Sequence, residues 1–348
     1  MLRSSRISLM VRNPDIPWRI NQVPNGSTLG FNASPRRVLI AKKYNDTRSR
    51  DAMINVCNFL SSRGAEILID ESDPDRVLFE GLKPVSCAVA SSMVDFVVCL
   101  GGDGTVLRTI SWVGECSSAS GSSFIPPVLA FGVGSLGFLA PFSIADYKAV
   151  LSRILDPSID HPVTLRTRLR CEVYDPNSTT PKATHRVLNE CLVARGSHSA
   201  FQHLDCKIDG MKVAQFQADG LIVATPSGSS AYSMAAGGPL VAPNVPCILL
   251  TPVAPHALSA RPLVLPGSSD IEVHVPKHAR SRPIVSFDGH HEMVLERDSR
   301  VRITQSKSFV PFFRLTGNDT QSAGPSSDWF VSLRSKLLWA KEVRQAAL

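Results

Sequence analysis

The chain has no uninterrupted apolar run of about 18 residues, the length that a membrane-spanning helix requires. Charged residues make up only 19% of its 348 positions, and the formal net charge is +7. The basic residues form no stripe interleaved with aromatic side chains, so the usual pattern of a nucleic-acid-binding surface is missing. With 43% hydrophobic residues, the composition predicts a globular protein of about two domains, whose partners are anionic small molecules rather than membranes or nucleic acids.

Several catalytic signatures are also missing. The sequence contains no Gly-x-x-x-x-Gly-Lys-Ser/Thr phosphate loop, no His-Arg-Asp, no His-Glu-x-x-His zinc site and no Gly-x-Ser-x-Gly elbow. None of the eight cysteines forms a Cys-x-x-Cys pair, and several lie in apolar runs, which predicts a reducing intracellular compartment. We expect the cytoplasm. The Arg- and Ser-rich first fourteen residues leave open a plastid or mitochondrial transit segment, as against a disordered basic tail.

The spacing of apolar residues predicts two architectures in succession. Residues 1–34 are expected to form a leader or disordered tail, and residues 35–158 alternate short apolar strands with helical periodicity, as in a parallel α/β sheet. Within this stretch, residues 48–63 predict a helix with one apolar face, formed by Ala52, Met53, Val56, Cys57 and Leu60.

From 159 to 305 the period changes to that of antiparallel strands. The segment 165–173 alternates strictly and predicts one half-buried strand with Arg166, Arg168 and Arg170 on its solvated face. Asp-Gly pairs at 209–210 and 288–289 predict hairpin turns. Residues 306–348 are expected to form a loop and a C-terminal helix that packs on the body of the protein.

The most informative stretch is Gly101-Gly102-Asp103-Gly104, which joins an apolar strand to a predicted helix. Glycines let the backbone turn freely and approach a ligand closely, and exposed amides at a helix start attract anions. Asp103 would repel phosphate, so it is expected to bind a hydroxyl, take its proton or hold a metal ion. The alternative is a tight turn in which Asp103 only caps the helix.

A second glycine-rich segment, 132–137, matches Gly-x-Gly-x-x-Gly after a predicted strand. We reject the dinucleotide fingerprint of hydride-transfer enzymes because Pro141 would interrupt the helix that this fingerprint requires. A glycine turn that lines a nucleotide pocket, with Phe138 stacking on or walling off a ring, is the hypothesis that remains.

Two further polar segments follow apolar strands. Asn189-Glu190 pairs an amide with a carboxylate, which suits recognition of a ribose or a base, although a strand-end turn explains it equally well. Residues 218–233 run from a buried strand into a loop crowded with hydroxyls, glycine and Tyr232, which favours a ligand site over a purely structural loop.

Taken in order, these segments resemble the NAD kinase family, specifically its eukaryotic, plant-type members. The resemblance runs from about residue 36 to the C-terminus and rests on the segments 101–104, 134–139, 189–190, 219–232, 243–246 and 286–289. It implies a Rossmann-like α/β domain and a β-sandwich-like domain, with the site in the cleft between them. It also implies transfer of the ATP γ-phosphate to the 2′-hydroxyl of the adenosine ribose of NAD, or of NADH, with Mg²⁺ accompanying ATP, and a homodimer or homotetramer.

Carried over residue by residue, the resemblance makes Asp103 the general base. It assigns phosphate binding to Gly101 and Gly102, and the donor side to Asp288 and His290. It assigns dinucleotide binding to Gly104, Phe138, Asn189, Glu190, Asp219, Ser230, Ala231 and Tyr232. The alternatives are a lipid kinase that shares the Gly-Gly-Asp-Gly loop and a sensor that binds NADP(H) without turnover.

Overall fold

The structure, a computed structural model, describes residues 17–23, 26–119, 125–134, 137–196, 201–314 and 327–337. The chain divides into two compact units. Unit 1 comprises residues 1–165 together with 310–348, and unit 2 is the continuous segment 166–309.

The secondary structure of the described residues consists of 22 strands and six α-helices. The strands are β1 (Trp18–Val23), β2 (Gly26–Phe31), β3 (Arg37–Lys42), β4 (Glu66–Asp70), β5 (Leu82–Val85), β6 (Phe96–Leu100), β7 (Val128–Gly132), β8 (Phe142–Ser143), β9 (His161–Arg166), β10 (Leu169–Tyr174), β11 (Ala183–Val187), β12 (Glu190–Ala194), β13 (Gln202–Ile208), β14 (Met211–Ala218), β15 (Gly220–Ala224), β16 (Cys247–Val253), β17 (Leu263–Pro266), β18 (Ile271–His274), β19 (Ile284–Phe287), β20 (His290–Val294), β21 (Arg300–Gln305) and β22 (Val310–Phe313). The helices are α1 (Thr47–Ser62), α2 (Cys87–Met93), α3 (Asp103–Ala119), α4 (Tyr147–Ile154), α5 (Tyr232–Ala235) and α6 (Ser327–Leu337).

Unit 1 is built on one mixed sheet with the strand order β1-β2-β9-β22-β7-β6-β3-β4-β5, and β8 pairs with β7. The neighbours from β22 to β5 run parallel, whereas β1, β2 and β9 pair antiparallel. The chain passes from β3 through α1 to β4 on one side, and β6 then joins the other side of β3. The loops that follow β3 and β6 therefore diverge, and such a switch point is where open α/β sheets bind ligands.

Helix α1 shows how the sequence pattern becomes packing. Its five predicted apolar residues are all buried, and they share one cluster with sheet residues such as Val38 and Phe96. The Asp46 side chain caps the helix by accepting a hydrogen bond from the Ser49 backbone N–H at 3.0 Å. Spacing and cap together fix the start and the buried face of this helix.

Unit 2 is a sandwich of two antiparallel six-stranded sheets, with the orders β11-β10-β21-β18-β13-β14 and β17-β16-β15-β12-β19-β20. Alternate residues of both sheets fill one core, including Cys171 and Ile303 from the first and Val193 and Val223 from the second. Both Asp-Gly pairs form the predicted turns, with positive φ at Asp209, Gly210, Asp288 and Gly289. The β-rich sandwich is thus confirmed.

Three predictions about the ends and the middle of the chain are wrong. The segment 1–34 is not a leader throughout, because β1 and β2 pair antiparallel and extend the sheet of unit 1. The segment 306–348 is more than a loop and a helix, because β22 (Val310–Phe313) lies between β9 and β7. The single strand expected over 165–173 is broken after Arg166, and both Arg166 and Arg168 are buried, at 5% and 2% exposure.

The buried arginines have polar partners that the alternating pattern could not reveal. The Arg168 guanidinium donates a hydrogen bond to the Ser308 hydroxyl, and Arg166 donates to the Ser227 hydroxyl at 2.9 Å. Among the cysteines, Cys57, Cys99, Cys171, Cys191, Cys206 and Cys247 are free and buried. Cys87 is disulfide-bonded, a departure from the uniformly reduced set that the composition predicts.

Candidate active site

Gly101 and Gly102 lie between β6 and α3 at the switch point of the unit 1 sheet, and Asp103 and Gly104 begin α3. The Gly101 N–H donates to the Phe131 carbonyl at 3.0 Å, which ties the loop to β7. The Gly102 carbonyl accepts from the N–H groups of Thr105 and Val106 and so opens the helix. Asp103 consequently occupies the first turn of α3, at the end where backbone N–H groups lack partners within the helix.

The glycines at 101, 102 and 104 differ in whether the surrounding structure requires a residue without a side chain. A Cβ on Gly101 would overlap the Thr105 side chain, so packing within the fold explains that position. A Cβ on Gly102 or Gly104 would have no atom within 4 Å, and neither residue has a positive φ. Neither packing nor backbone strain requires glycine there, so the open space over Gly102 and Gly104 points to a ligand that lies against the backbone.

Asp103 connects this loop to the second glycine-rich segment. One carboxylate oxygen accepts a hydrogen bond from the Phe138 N–H at 3.0 Å, and the other accepts from the Leu139 N–H at 3.0 Å. A Cβ on Gly137 would overlap Oδ1 of Asp103, so this approach requires glycine at 137. Each carboxylate oxygen has more than one lone-pair site, so Asp103 is oriented and can still accept from a hydroxyl.

The segment around Phe138 forms no helix within residues 137–141, as Pro141 predicts, and the dinucleotide fingerprint is not formed there. The Phe138 ring is buried, and Nζ of Lys336 on α6 lies 5.4 Å from the ring centroid. The described contacts of Phe138 therefore use its backbone N–H toward Asp103 and its ring toward the C-terminal helix.

In unit 2, the Asp288 carboxylate fixes the backbone of the turn at residues 188–190. The Asp288 carboxylate accepts hydrogen bonds from the backbone N–H groups of Leu188, Asn189 and Glu190 at 2.7, 2.8 and 3.0 Å. The resemblance assigns Asp288 to the phosphate donor, whereas this geometry engages both of its oxygens with the backbone. Sequence reasoning missed this positioning role, and the Asp-Gly turn alone carries no signal for it.

The pKa values of the Glu190 and Asp288 carboxyl groups are both raised. Burial and the neighbouring Asp288 raise the pKa of Glu190 to about 8. Burial also raises the pKa of Asp288, although its three backbone N–H partners oppose that shift. Within the described part of the chain, Oε2 of Glu190 and Oδ1 of Asn189 are buried and have no hydrogen-bond partner. Unsatisfied buried oxygens of this kind favour a ligand that brings its own donors, such as hydroxyl groups.

The hydroxyl-rich loop that follows β15 (residues 225–232) packs against the carbonyl groups of the same turn. The Thr225 hydroxyl donates to the Leu188 carbonyl, and a Cβ on Gly228 would overlap the Asn189 carbonyl oxygen. The Ser229 hydroxyl bonds to the Val241 backbone, so several hydroxyls that the sequence offered to a ligand instead hold the fold. Tyr232 is the member of the loop that reaches solvent most, at 42% exposure.

Among the predicted residues of unit 2, Ser230 and Ala231 lie in this loop beside Tyr232, and both are half-buried. His290 is exposed just after the Asp288-Gly289 turn. Asp219 is not part of the cluster: it precedes β15, whereas Glu190 pairs with Ala224 at the other end, about 16 Å away along the strand. Asp219 instead forms an ion pair with Arg195 at 3.0 Å.

The described residues contain no group of three or more His, Cys, Asp or Glu side chains arranged to hold a metal ion. No helix in the described ranges is both long and apolar enough to cross a membrane.

A glycine loop at the switch point of an open α/β sheet, and in unit 2 a sandwich with buried unsatisfied oxygens, are features typical of nucleotide-binding proteins. The sequence matches the ATP-NAD kinase N-terminal domain over residues 38–159 and the ATP-NAD kinase C-terminal domain over residues 188–315. The chain belongs to the ATP-NAD kinase family.

Relatives and solved structures agree with this assignment. The chain is 43% identical over 258 residues to the chloroplastic NAD kinase 2 of Arabidopsis thaliana, and 39% identical over 263 residues to the mitochondrial NADH kinase POS5 of Saccharomyces cerevisiae. The matched regions cover 73% and 72% of this chain, but only 25% and 60% of those relatives. The crystal structure of yeast NADH kinase complexed with NADH superimposes with a TM-score of 0.82 at 28% identity, over 95% of this chain and 96% of that one.

Proposed function

We propose that this protein is an ATP-dependent NAD kinase, which transfers the γ-phosphate of ATP to the 2′-hydroxyl of the adenosine ribose of NAD or NADH. The observation that carries the proposal is the placement of Asp103 at the start of α3. It lies between Gly102 and Gly104, where an added Cβ would meet no atom within 4 Å. Family membership and the likeness to yeast NADH kinase support it.

The chemistry requires positioning and neutralisation of charge more than covalent help. The ribose oxygen attacks the γ-phosphorus in line, the bond between that phosphorus and the ADP oxygen breaks, and the hydroxyl proton moves to Asp103. Mg²⁺ enters with ATP as part of the substrate, because this ion keeps several waters and binds largely through phosphate oxygens. The amides of Gly102 and Gly104 would neutralise charge on the phosphates. The Gly101 N–H, which the resemblance also assigns to phosphate, already donates to the Phe131 carbonyl.

Unit 2 would recognise the dinucleotide. Oδ1 of Asn189 and Oε2 of Glu190 are buried acceptors that suit ribose hydroxyls. A pKa of about 8 leaves the Glu190 carboxyl largely protonated at neutral pH, so it would also donate a hydrogen bond and would not repel a phosphate. Ser230, Ala231 and Tyr232 would extend the contact surface, and the exposed His290 would lie toward the phosphate donor.

The test is to mix the purified protein with ATP, Mg²⁺ and either NAD or NADH, and to quantify NADP(H) by enzymatic cycling. We expect Asp103→Asn to lower kcat by about 10²–10⁴, the range for loss of a general base. Asp175→Asn, which removes an exposed partner of Lys182, is the matched control and should retain full activity. Near-normal turnover by Asp103→Asn would contradict its role as the base.

The two rival hypotheses predict different results in the same assay. Tight dinucleotide binding without product from either acceptor would favour the sensor, and absence of both binding and product would favour the lipid kinase. The homo-oligomer and the cytoplasmic location stay predictions, to be checked by light scattering and by a fluorescent fusion. Relatives named chloroplastic and mitochondrial make the organelles the alternatives for that fusion experiment.

A further inference from the structure

Unit 1 contains a cavity of about 290 Å³ beside α4, and none of the candidate active-site residues lines it. Cavities that take drug-sized ligands measure about 300–1,000 Å³, so this one suits a small molecule. Much of its wall is apolar and comes from three strands or strand ends and one helix: Phe142, Val150, Ile154, Pro162 and Phe313.

Two guanidinium groups line the same cavity. Arg153 lies in the last turn of α4, and Arg314 directly follows β22. The Arg314 side chain is only 6% exposed, and its Nε lies 3.6 Å from Oδ1 of Asp328 on α6. The Arg314 backbone N–H donates to the Pro162 carbonyl at 3.0 Å, which places the backbone of Arg314 beside the start of β9. Buried arginine in an apolar wall is the residue that recognises carboxylates with two parallel hydrogen bonds.

His161 adds a third polar group to the cavity wall. It is 3% exposed, and its ring packs edge-on against Phe313 with 5.8 Å between the ring centroids. Burial, reinforced by Arg153, lowers the pKa of His161, so the imidazole is neutral at neutral pH. In the part of the chain that the structure describes, its Nε2 is buried and has no hydrogen-bond partner.

The tautomer of this histidine follows from its other contact. The Asp156 backbone hydrogen bond favours the protonated ring, so the backbone accepts and the imidazole donates. A neutral imidazole has one donor and one acceptor, which leaves Nε2 as an acceptor. A ligand that satisfies Nε2 must therefore bring a hydroxyl or an N–H group.

The charged residues at the two ends of α4 that line the cavity have opposite signs. Asp146, which is exposed, lines the cavity at the start of the helix, and Arg153 follows seven residues later, about 10 Å along the axis. An anion would be repelled at the Asp146 end and attracted at the Arg153 end. The charges that line the cavity therefore favour an orientation of a small acid with its carboxylate toward Arg153 and Arg314, while Asp328 pairs with Nε of Arg314 and Asp156 and Asp160 add negative charge near His161.

We infer that this cavity binds a small apolar hydroxy acid. The apolar body lies against the Phe142 and Phe313 side of the wall, and the carboxylate is held by Arg153 and Arg314. The hydroxyl group donates a hydrogen bond to Nε2 of His161. This site is separate from the dinucleotide site and does not depend on the proposed kinase activity.

The test is calorimetric titration of the full chain at constant pH with three matched probes. They are 3-phenyllactate, 3-phenylpropanoate, which lacks the hydroxyl, and 3-phenyllactamide, which lacks the charge. We expect 3-phenyllactate to bind most tightly and the amide at least about tenfold more weakly, the size of one lost charge-assisted hydrogen bond. Failure of all three probes to bind, or equal binding of acid and amide, would overturn the inference.

Variants assign the two polar contacts. Arg153→Gln should weaken the acid about tenfold without changing amide binding, whereas Lys148→Gln, an exposed lysine on the same helix that does not line the cavity, should change neither. His161→Phe keeps a ring among Phe31 and Phe313, and it should abolish the preference for 3-phenyllactate over 3-phenylpropanoate. An unchanged preference in His161→Phe, or unchanged acid binding in Arg153→Gln, would show that the acid does not bind as inferred.

Discussion

Two aspartates of this protein accept backbone hydrogen bonds with different consequences for chemistry. Asp103 is half-buried and accepts one N–H on each oxygen, so lone pairs remain for a substrate hydroxyl. Asp288 accepts three N–H groups, which holds the 188–190 turn in place. The number of backbone donors, and not the residue type, separates a candidate base from a positioning residue.

Gly137 controls the orientation of Asp103. We expect Gly137→Ala to lower kcat by more than about tenfold, because the new Cβ would overlap Oδ1 of Asp103 and lie 3.1 Å from the Ala140 backbone nitrogen. Asp175→Asn, which removes an exposed partner of Lys182 in unit 2, is the control. Steady-state kinetics of both variants check the prediction, which equal activities would contradict.

Glu190 makes stability depend on pH. Its pKa rises from 4.5 in the unfolded chain to about 8 in the folded chain. As the pH rises from about 4.5 to 8, the unfolded chain loses the Glu190 proton while the folded chain keeps it. The free energy of unfolding therefore decreases over this range. Glu190→Gln removes this loss. We therefore expect the Tm of the variant minus that of the native chain to increase between pH 5 and pH 8 in thermal denaturation. A difference that stays constant over this range would show that Glu190 ionises normally.

At the scale of elements, the turn at residues 188–190 is fixed between a hairpin turn and a loop. Asp288 in the β19–β20 turn bonds to the turn's backbone N–H groups, while Thr225 and Gly228 pack onto its carbonyl groups. The side chains of Asn189 and Glu190 thus project from a backbone that is fixed on both sides. Preorganised acceptors of this kind lower the conformational cost of binding.

Asp288→Asn tests this clamp, because an amide offers one acceptor oxygen in place of two and its NH₂ group opposes a backbone N–H. We expect a loss of about 1–3 kcal/mol in the free energy of unfolding and a raised KM for the dinucleotide. Asp209→Asn is the control, since Asp209 occupies the same kind of turn with φ 51° and its carboxylate accepts one backbone hydrogen bond, from the Asp270 N–H at 2.8 Å. Urea denaturation and initial rates measure both effects, and equal behaviour of the two variants would exclude the clamp.

Local patterns predicted some elements better than others. Helix α1 and the two Asp-Gly hairpins follow from apolar spacing and turn chemistry, which act over a few residues. Strand β22 could not be predicted, because four residues that include Pro311 carry little periodicity and their partner β7 lies far away in sequence. The burial of Arg168 depends on Ser308, and the lock between Gly137 and Asp103 depends on an approach across 34 residues. No local pattern records such contacts.

For the whole molecule, the chain path makes the two units unequal. Unit 2 is continuous and has its own core between two sheets, whereas unit 1 is completed by residues that follow unit 2. Strand β22 lies in the interior of the unit 1 sheet, between β9 and β7. Unit 1 therefore needs the C-terminal part of the chain, and unit 2 needs neither flank for its sheets.

Truncation after Phe309 should separate these dependencies. We expect the 1–309 chain to lose protease resistance in unit 1, because the edges of β7 and β9 become unpaired, while the segment 166–309 stays resistant. A chain that ends after Arg314 keeps β22 and should retain more of unit 1. Limited proteolysis with mass spectrometry distinguishes the two chains, and equal resistance of unit 1 in both would contradict the role of β22.

The interior position of β22 also determines the order in which a nascent polypeptide can finish folding. Synthesis proceeds at about 5–20 residues per second, so β22 leaves the ribosome roughly 14 to 55 seconds after β3. During that interval the sandwich can mature, but the first-made sheet keeps an open edge at β7 that could pair with other chains. The sheet of unit 1 is thus translated first but completed last. A chaperone that binds nascent chains would have to cover the unpaired edge of β7 during this interval.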